Sequence, residues 1–297
     1  MNRRLISSLV LGTVQLGTNY GITNQSGKPS RKRAKEILEL AWDMGVRCFD
    51  TAPTYGSEEI IGEFCSSNQL SKEIRILTKV AGFSRKNDWK GAFERSIVES
   101  LKRTQTERIE TIFLHDSREV HLIFDNHEYF AEILNKYPVN TIGVSIYEPW
   151  EIAHLRELPN KLAFQFPFSV IDQRFLNVPM NIGRRYARSI FLQGILASKR
   201  LIKDVPDGIK DLHTIFHSVM RRHDYDPLVF SLEYVRRSSA CDYILVGVDN
   251  IDQLSELFRA WGSVDGKEIP YSNILLDLSK QIDNYWIDPR NWSEQVR

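Results

Sequence analysis

The chain has 297 residues, 42% of them hydrophobic and 26% charged, with a formal net charge of +1. That is an ordinary globular balance, long enough for one large α/β barrel or two medium domains, and its near-neutrality argues against a nucleic-acid or membrane surface. Three scattered cysteines without a C-x-x-C pair argue against a disulfide framework or a zinc site, and no apolar run approaches the ~20 residues of a membrane span, so the chain reads as cytoplasmic.

The N-terminal apolar run is short and broken by Ser7 and Ser8. Leu9 to Thr13 reads as a first strand, followed by a loop rich in Gly, Asn and Thr up to Pro29. Ser30 is placed to cap a helix whose apolar residues Ala34, Ile37, Leu38 and Ala41 share one face, and Gly45 is placed to end it. Val46 to Asp50 reads as strand two, with Cys48 as a small core residue. Ser57 then stands as a plausible N-cap before Glu58 and Glu59. Ile74 to Lys79 reads as strand three, and a helix from about Asp88 to Arg103 buries Phe93, Ile97 and Leu101. Further strands are expected at Thr111 to His115, Thr141 to Ser145, Leu162 to Gln165, Ser189 to Leu192 and Tyr243 to Gly247, with helical patterns between them.

Short apolar strands alternating with helices imply parallel pairing, and unbroken apolar runs imply strands buried on both faces. About eight such units predict an α/β fold, a single (β/α)8 TIM barrel. A doubly wound open sheet is the runner-up, disfavoured because no G-x-G-x-x-G follows the first strand. With no repeat, linker or low-complexity segment, one domain over residues 1–297 is expected, its tail (about 263–297) packing on the barrel.

In such barrels chemistry gathers at the carboxyl ends of the strands. Asp50, Lys79 and His115 end strands two, three and four, and Tyr55 lies just beyond strand two. Taken singly, a strand-end Asp is usually a turn residue, a strand-end Lys is usually solvated, and a lone His is usually structural. Together they make a chemical set. A phenol is a weak acid, and a neighbouring ammonium favours its anion, so Lys79 suits Tyr55 as a proton donor. Asp50 can hold Lys79 charged in a dry pocket, and His115 can orient a carbonyl oxygen. Other chemistries find no support: His121, His127 and His154 lack metal-ligand spacing, no G-x-S-x-G exists, and Arg31-Lys32-Arg33 reads as the solvated start of a helix.

The stretch F-D-T-A-P-T-Y-G-S-E-E-I-I-G, Phe49 to Gly62, closely resembles the signature of the aldo-keto reductase superfamily. I-L-T-K (Ile76 to Lys79), S-L-K-R-T (Ser100 to Thr104), I-E-T-I-F-L-H-D, I-G-V-S (Ile142 to Ser145), F-Q-F-P (Phe164 to Pro167) and V-G-V-D-N-I-D-Q-L-S-E (Val246 to Glu256) resemble further motifs of the same superfamily, so the likeness runs from about Leu11 to Arg259. It implies an oxidoreductase that reduces an aldehyde or ketone, with Asp50, Tyr55, Lys79 and His115 catalytic. NADPH is the implied hydride donor and NADH the alternative. Ser145 and Gln165 are implied at the nicotinamide amide, and Gly12, Thr13, Gly247, Val248, Asp249 and Gln253 elsewhere along the cofactor. The phosphates are expected at R-S-I-F-L-Q-G-I-L, Arg188 to Leu196, with Leu192, Gln193 and Gly194, where backbone N–H groups need no particular side chains.

The chain departs from the family in three places. Ser145 is followed by Ile146 where Asn is frequent. Asp249, Asn250 and Gln253 stand where Lys, Ser and Arg often read a 2′-phosphate, which weakens the expectation of NADPH selectivity; Lys199, Arg200 and Arg259 are candidate replacements. Glu256-Leu257 lacks the Asn of a terminal Glu-Asn pair. Two other classes compete with the reductase: a cofactor-binding regulatory or scaffold barrel, and a lyase or isomerase using Lys79 as a Schiff-base amine. The expected partner is a small carbonyl compound, sugar-like if the polar loop Asp116, Ser117, Arg118 walls the pocket; no metal, nucleic acid or membrane is expected, and a monomer is. Tyr285, Trp286 and Trp292 are expected either to wall the substrate pocket or to pack the last helix onto the barrel.

Overall fold

The computed structural model describes residues 6–80, 82, 87–152, 162–178, 183–200, 204–263 and 271–292. Eight strands, β1 (Leu9–Gly12), β2 (Cys48–Asp50), β3 (Arg75–Val80), β4 (Thr111–Leu114), β5 (Ile142–Ser145), β6 (Leu162–Pro167), β7 (Gly183–Arg188) and β8 (Tyr243–Gly247), close in sequence order into one barrel. All pairings are parallel, and β8 closes onto β1 with Gly12 opposite Gly247. The fold is the expected (β/α)8 barrel.

Strand alternation divides the core in two. Val10, Cys48, Leu77, Phe113, Ala163, Tyr186 and Leu245 form a small cluster of their own, one residue from each of seven strands, filling the barrel interior. The eighth strand contributes Gly143, where a β-carbon would collide with the Phe113 ring and the Ala163 carbonyl. The intervening residues, such as Leu11, Phe49 and Ile76, belong to the larger layer between strands and helices. That layer receives the predicted face of the helix Arg31–Asp43, namely Ala34, Ile37, Leu38 and Ala41, and the Ser30 side chain accepts from the Arg33 N–H as a cap should. The helix Trp89–Thr104 starts on an Asp88 cap and buries Phe93 and Ile97 as expected.

Two expectations need correction. Strand seven is not Ser189 to Leu192 but Gly183–Arg188, with the sequence G-R-R-Y-A-R. Its arginines hide it from a search for apolar runs, yet each has a structural use. Arg184 pairs with Glu110 at the base of the barrel, and Arg185 pairs with Asp242 at 2.6 Å. Ser189 to Leu192 form turns beyond its end. Ser57 precedes the helix Glu58–Ser67 but makes no side-chain cap. Its hydroxyl lies 2.8 Å from both Thr13 Oγ1 and Thr51 Oγ1 instead.

The tail is bound to the barrel mouth by charge. Arg174 and Arg290 both reach Glu148 at 2.6 Å, and both also contact Asp288. Trp292 is buried and donates to the Trp286 carbonyl at 3.1 Å. Trp286 packs against the start of the helix Asp207–Arg222, where a β-carbon on Gly208 would collide with its indole. These contacts pack the tail on the barrel, and Trp292 also lines a smaller cavity of about 310 Å³ with Tyr20 and Gln193. Neither tryptophan, nor Tyr285, lines the main cleft. His154 lies outside the described residues.

Candidate active site

Two residues beyond the interior layer, each strand points its next inward side chain into the barrel mouth. That ring is Gly12, Asp50, Lys79, His115, Ser145, Gln165, Arg188 and Gly247. All but Lys79 line a cleft of about 910 Å³. Its walls continue through the segment after β7 to Lys199 and Arg200, and to Asp249, Asn250, Gln253 and Glu256 at the start of the helix Ile251–Ser263.

The charged centre lies beneath the cleft floor. Lys79 and Asp50 are 2% and 5% exposed. Lys79 Nζ donates to Asp50 Oδ1 at 2.5 Å and to the Thr51 carbonyl at 3.0 Å. The other carboxylate oxygen of Asp50 accepts from Gln165 Nε2 at 2.7 Å. This bond orients the Gln165 amide: its nitrogen must face the carboxylate, which leaves Oε1 as an acceptor for a ligand. Lys79 Nζ stands 4.9 Å from the centroid of the Tyr55 ring, and the Tyr55 and His115 rings meet edge-on at 6.1 Å. Burial works against the charge on Lys79, but the Asp50 carboxylate and the Tyr55 phenol outweigh it and hold the amine above its ordinary range. A charged, pinned amine that does not line the cleft is a poor Schiff-base nucleophile, so the lyase reading loses its support. Burial, then the charges of Lys79 and Arg188, push the His115 imidazole down to about 4, so it is neutral at pH 7.

Local chemistry fixes the loop that carries Tyr55. Thr13 donates its hydroxyl to the Asp50 carbonyl at 2.8 Å. Each hydroxyl has one proton, so Ser57 must donate to Thr13, and Thr51 to Ser57. The chain of three locks the ends of β1 and β2 together. Gly56, at φ +70, ends the turn Pro53–Tyr55 in a left-handed conformation. On the helix side, buried Glu58 accepts from Thr78 Oγ1 at 2.7 Å and from Arg103 Nε at 2.6 Å, tying the signature segment to β3 and to the helix Trp89–Thr104.

Residues 8–271 match the aldo/keto reductase family. The chain belongs to the aldo/keto reductase family. Protein tas of Escherichia coli (strain K12) is 25% identical over 84% of this chain and 89% of its own length. A D-threo-aldose 1-dehydrogenase from a Pseudomonas species is 23% identical over 76% of this chain and 82% of its own. Among solved structures, a glycerol dehydrogenase from Gluconobacter oxydans superposes with a TM-score of 0.70 at 19% identity, covering 96% of this chain and 94% of that one, which speaks for the fold.

An aldo/keto reductase needs room for a dinucleotide, and a cleft of about 910 Å³ is at the upper end of ligand-pocket sizes. Gln15, in its wall beside Gly247, has a buried Oε1 with no hydrogen-bond partner. An amide or hydroxyl donor from a bound molecule would satisfy it. Of the residues expected along the cofactor, Gln193, Gly194, Val248, Asp249 and Gln253 line the cleft. Thr13 and Leu192 do not: Thr13 is spent on the Asp50 carbonyl, and Leu192 is 2% exposed, its side chain in the core. The expected phosphate loop is also less free than expected. The N–H groups of Leu192, Gly194, Ile195 and Leu196 close turns within the loop, leaving those of Ile190, Phe191 and Gln193 without a backbone acceptor among the described residues.

At the end of the cleft where the sequence predicts the adenosine, Asp249 and Gln253 hold each other. The Asp249 N–H donates to Gln253 Oε1 at 2.8 Å, and Gln253 Nε2 donates to Asp249 Oδ2 at 3.1 Å. Burial pushes the Asp249 carboxyl up from its ordinary value. Lys199 is paired with Asp226 at 2.7 Å, Arg200 lines the cleft, and Arg259 does not. Among the described residues no group of three or more His, Cys, Asp or Glu is placed to hold a metal ion. No described helix is long and apolar enough to cross a membrane.

Sequence reasoning missed Gln15, Tyr20 and Tyr147, and it placed Arg188 in the phosphate segment but not at the end of β7; all four line the cleft. Arg188 was legible in principle, two residues after the barrel-filling Tyr186, once β7 is placed correctly. Tyr20 and Gln15 carry no local signal, because Tyr20 lies in an irregular loop and Gln15 in a single turn of helix, Val14–Gly17, too short to leave a periodic pattern.

Proposed function

We propose that the protein is a monomeric, single-domain, cytoplasmic carbonyl reductase, converting an aldehyde or ketone to the alcohol with NADPH or NADH as its hydride donor. The observation that carries this reading is the buried Asp50–Lys79 pair set beneath Tyr55, with the ammonium 2.5 Å from the carboxylate and 4.9 Å from the phenol ring. When bound, the reduced nicotinamide supplies a hydride to the carbonyl carbon. The chain's own side chains do the rest. Tyr55 gives its hydroxyl proton to the carbonyl oxygen, and the Lys79 charge stabilises the phenolate that remains. Asp50 keeps that charge in a site too dry to hold it alone. Neutral His115 donates an N–H to the same oxygen and orients it.

Ser145 and Gln165 Oε1 are suited to hold the cofactor amide, Gly12, Gly247 and Val248 to line its path, and Ile190 to Gly194 to meet its phosphates. Thr13 and Leu192 support this site from behind. The phenols of Tyr20 and Tyr147 and the amide of Gln15 give the cleft a polar lining. Together with the aldose dehydrogenase among the relatives, that lining favours a hydroxylated, sugar-like substrate. The test is Tyr55→Phe, which removes the acid and leaves the ring. Reduction of a panel of aldehydes should fall by about 10²–10⁴-fold. Parental rates in that variant would remove Tyr55 from the role.

A further inference from the structure

The ring of residues at the barrel mouth holds one charged group that the reduction itself does not require. Arg188 ends β7, lines the cleft and is half-buried. Its guanidinium lies 4.3 Å over the Tyr147 ring, whose distance to the Arg290 guanidinium is also 4.3 Å. The hydrogen bonds Arg188 makes are long, 3.3 Å to the Ile146 carbonyl and 3.4 Å to Ser189 Oγ. Neither is the short, charge-assisted contact a guanidinium makes with an anion.

Nor does a neighbouring acid neutralise it. Glu148 is held by Arg174 and Arg290 at 2.6 Å each, Asp116 by Arg118 at 2.6 Å, and Asp50 by Lys79. Among the described residues, no carboxylate lies within salt-bridge distance of Arg188. Among the described side chains lining that end of the cleft, Asp50 is matched by Lys79 and His115 is neutral, which leaves the charge of Arg188 unmatched; Glu148, Asp172 and Asp288, which share Arg174 and Arg290, do not line it. Arg188 and His115 line the same cleft, so an anion held on Arg188 would share it with the carbonyl that His115 orients.

We propose that Arg188 is the specificity-determining residue of this site, and that it takes a substrate carrying an anionic group, a carboxylate or phosphate, on the same short chain as the carbonyl. The planar guanidinium fork suits either anion, and stacking on Tyr147 fixes its plane in advance. This rests on the reductase reading and sharpens it from a sugar-like carbonyl to an acidic one.

The experiment compares matched pairs: succinic semialdehyde against butyraldehyde, and D-glyceraldehyde 3-phosphate against D-glyceraldehyde. The readout is the ratio of kcat/KM for the anionic and neutral member of each pair. In the parent at least one ratio should exceed about ten, and whichever pair does so names the anion. Arg188→Met should collapse that ratio toward one, a loss on the order of 10- to 100-fold, and Arg188→Lys should keep part of it. Because both members of a pair meet the same cofactor, an arginine that instead serves the cofactor would lower both rates together and leave the ratio as it was. A preserved ratio in Arg188→Met overturns the proposal, as does a parent with ratios near one. Should the parent reduce no carbonyl at all, the reductase reading fails. Calorimetric titration with succinate and with inorganic phosphate then decides this one separately. Binding to the parent and not to Arg188→Met supports it, and equal or absent binding overturns it.

Discussion

Lys79→Met isolates the buried pair on which the chemistry depends. Methionine roughly fills the space of the lysine stem but brings no charge. Asp50 would keep the Gln165 amide at 2.7 Å and lose the ammonium at 2.5 Å, while remaining as shielded as before at 5% exposure. An uncompensated buried charge costs about 3–5 kcal/mol. For a chain of this size that lowers the melting temperature by roughly 10 °C. Carbonyl reduction should fall to near background, because Tyr55 loses the charge that stabilises its phenolate. The double variant Asp50→Asn/Lys79→Met separates the two effects. It removes the orphaned charge, so most of the stability should return, while activity should not. Thermal denaturation and aldehyde turnover on the same preparations are the assays. An unchanged melting temperature in Lys79→Met would refute the buried pair. Recovery of rate in the double variant would refute the assignment of Lys79 to catalysis.

Two further predictions concern the groups around that pair. With His115 pushed down to about 4, its ring should show no titration step near 6.5 by NMR, and the catalytic rate should have no inflection from it between about pH 5 and pH 8. The sign for stability follows from the same shift. The unfolded chain takes up a proton at His115 below about 6.5 while the folded chain does not until about 4, so this residue's share of stability is full above that window and is lost as pH falls through it. A ring titrating near 6.5 would mean that burial and the two cations are not felt. At the other end of the cleft, Asp249→Ser removes a carboxylate from the adenosine end, and NADPH binding should tighten by about tenfold or less with NADH little changed. Fluorescence titration with both cofactors checks this, and a parent that already prefers NADPH a hundredfold would place the 2′-phosphate away from Asp249.

Much of the site was legible because chemistry and strand position coincide. Asp50, Lys79 and His115 each follow an apolar run, and a parallel barrel brings the ends of such runs to one mouth whatever their separation in the chain. Gln165 was legible too, but its bond to Asp50 was not, since nothing local says that β6 turns its amide toward β2. Ser57 was read as a cap because a hydroxyl beside a helix start looks like one, yet here its nearer partners are hydroxyls brought in from other loops. Thr13 was expected along the cofactor, and its hydroxyl instead donates to the Asp50 carbonyl. Leu192 was expected at the cofactor because its segment is; whether a side chain in a turn points outward depends on dihedrals, and at φ 44 this one points into the core.

The misplacement of strand seven had the largest consequence. An apolar run is a sound sign of a strand buried on both faces, but it assumes that neither end of the strand meets charge. β7 breaks that assumption at both ends. Arg184 closes the base of the barrel on Glu110, Arg185 pairs with Asp242, Arg188 ends the strand at the cleft, and only Tyr186 and Ala187, between Arg185 and Arg188, are fully buried. Shifting the strand forward onto Ser189 to Leu192 kept the phosphate segment in view but moved Arg188 off the strand, and so out of the ring of inward residues. Once the strand is placed at Gly183–Arg188, Arg188 falls two positions beyond the barrel-filling Tyr186 and opposite Pro167, and it lines the cleft together with Gln165 and Gly247. A polar strand in an otherwise apolar barrel is where the fold gives up burial for charge. In β7 two of those charges are matched by acids of the chain itself, and the third faces the cleft.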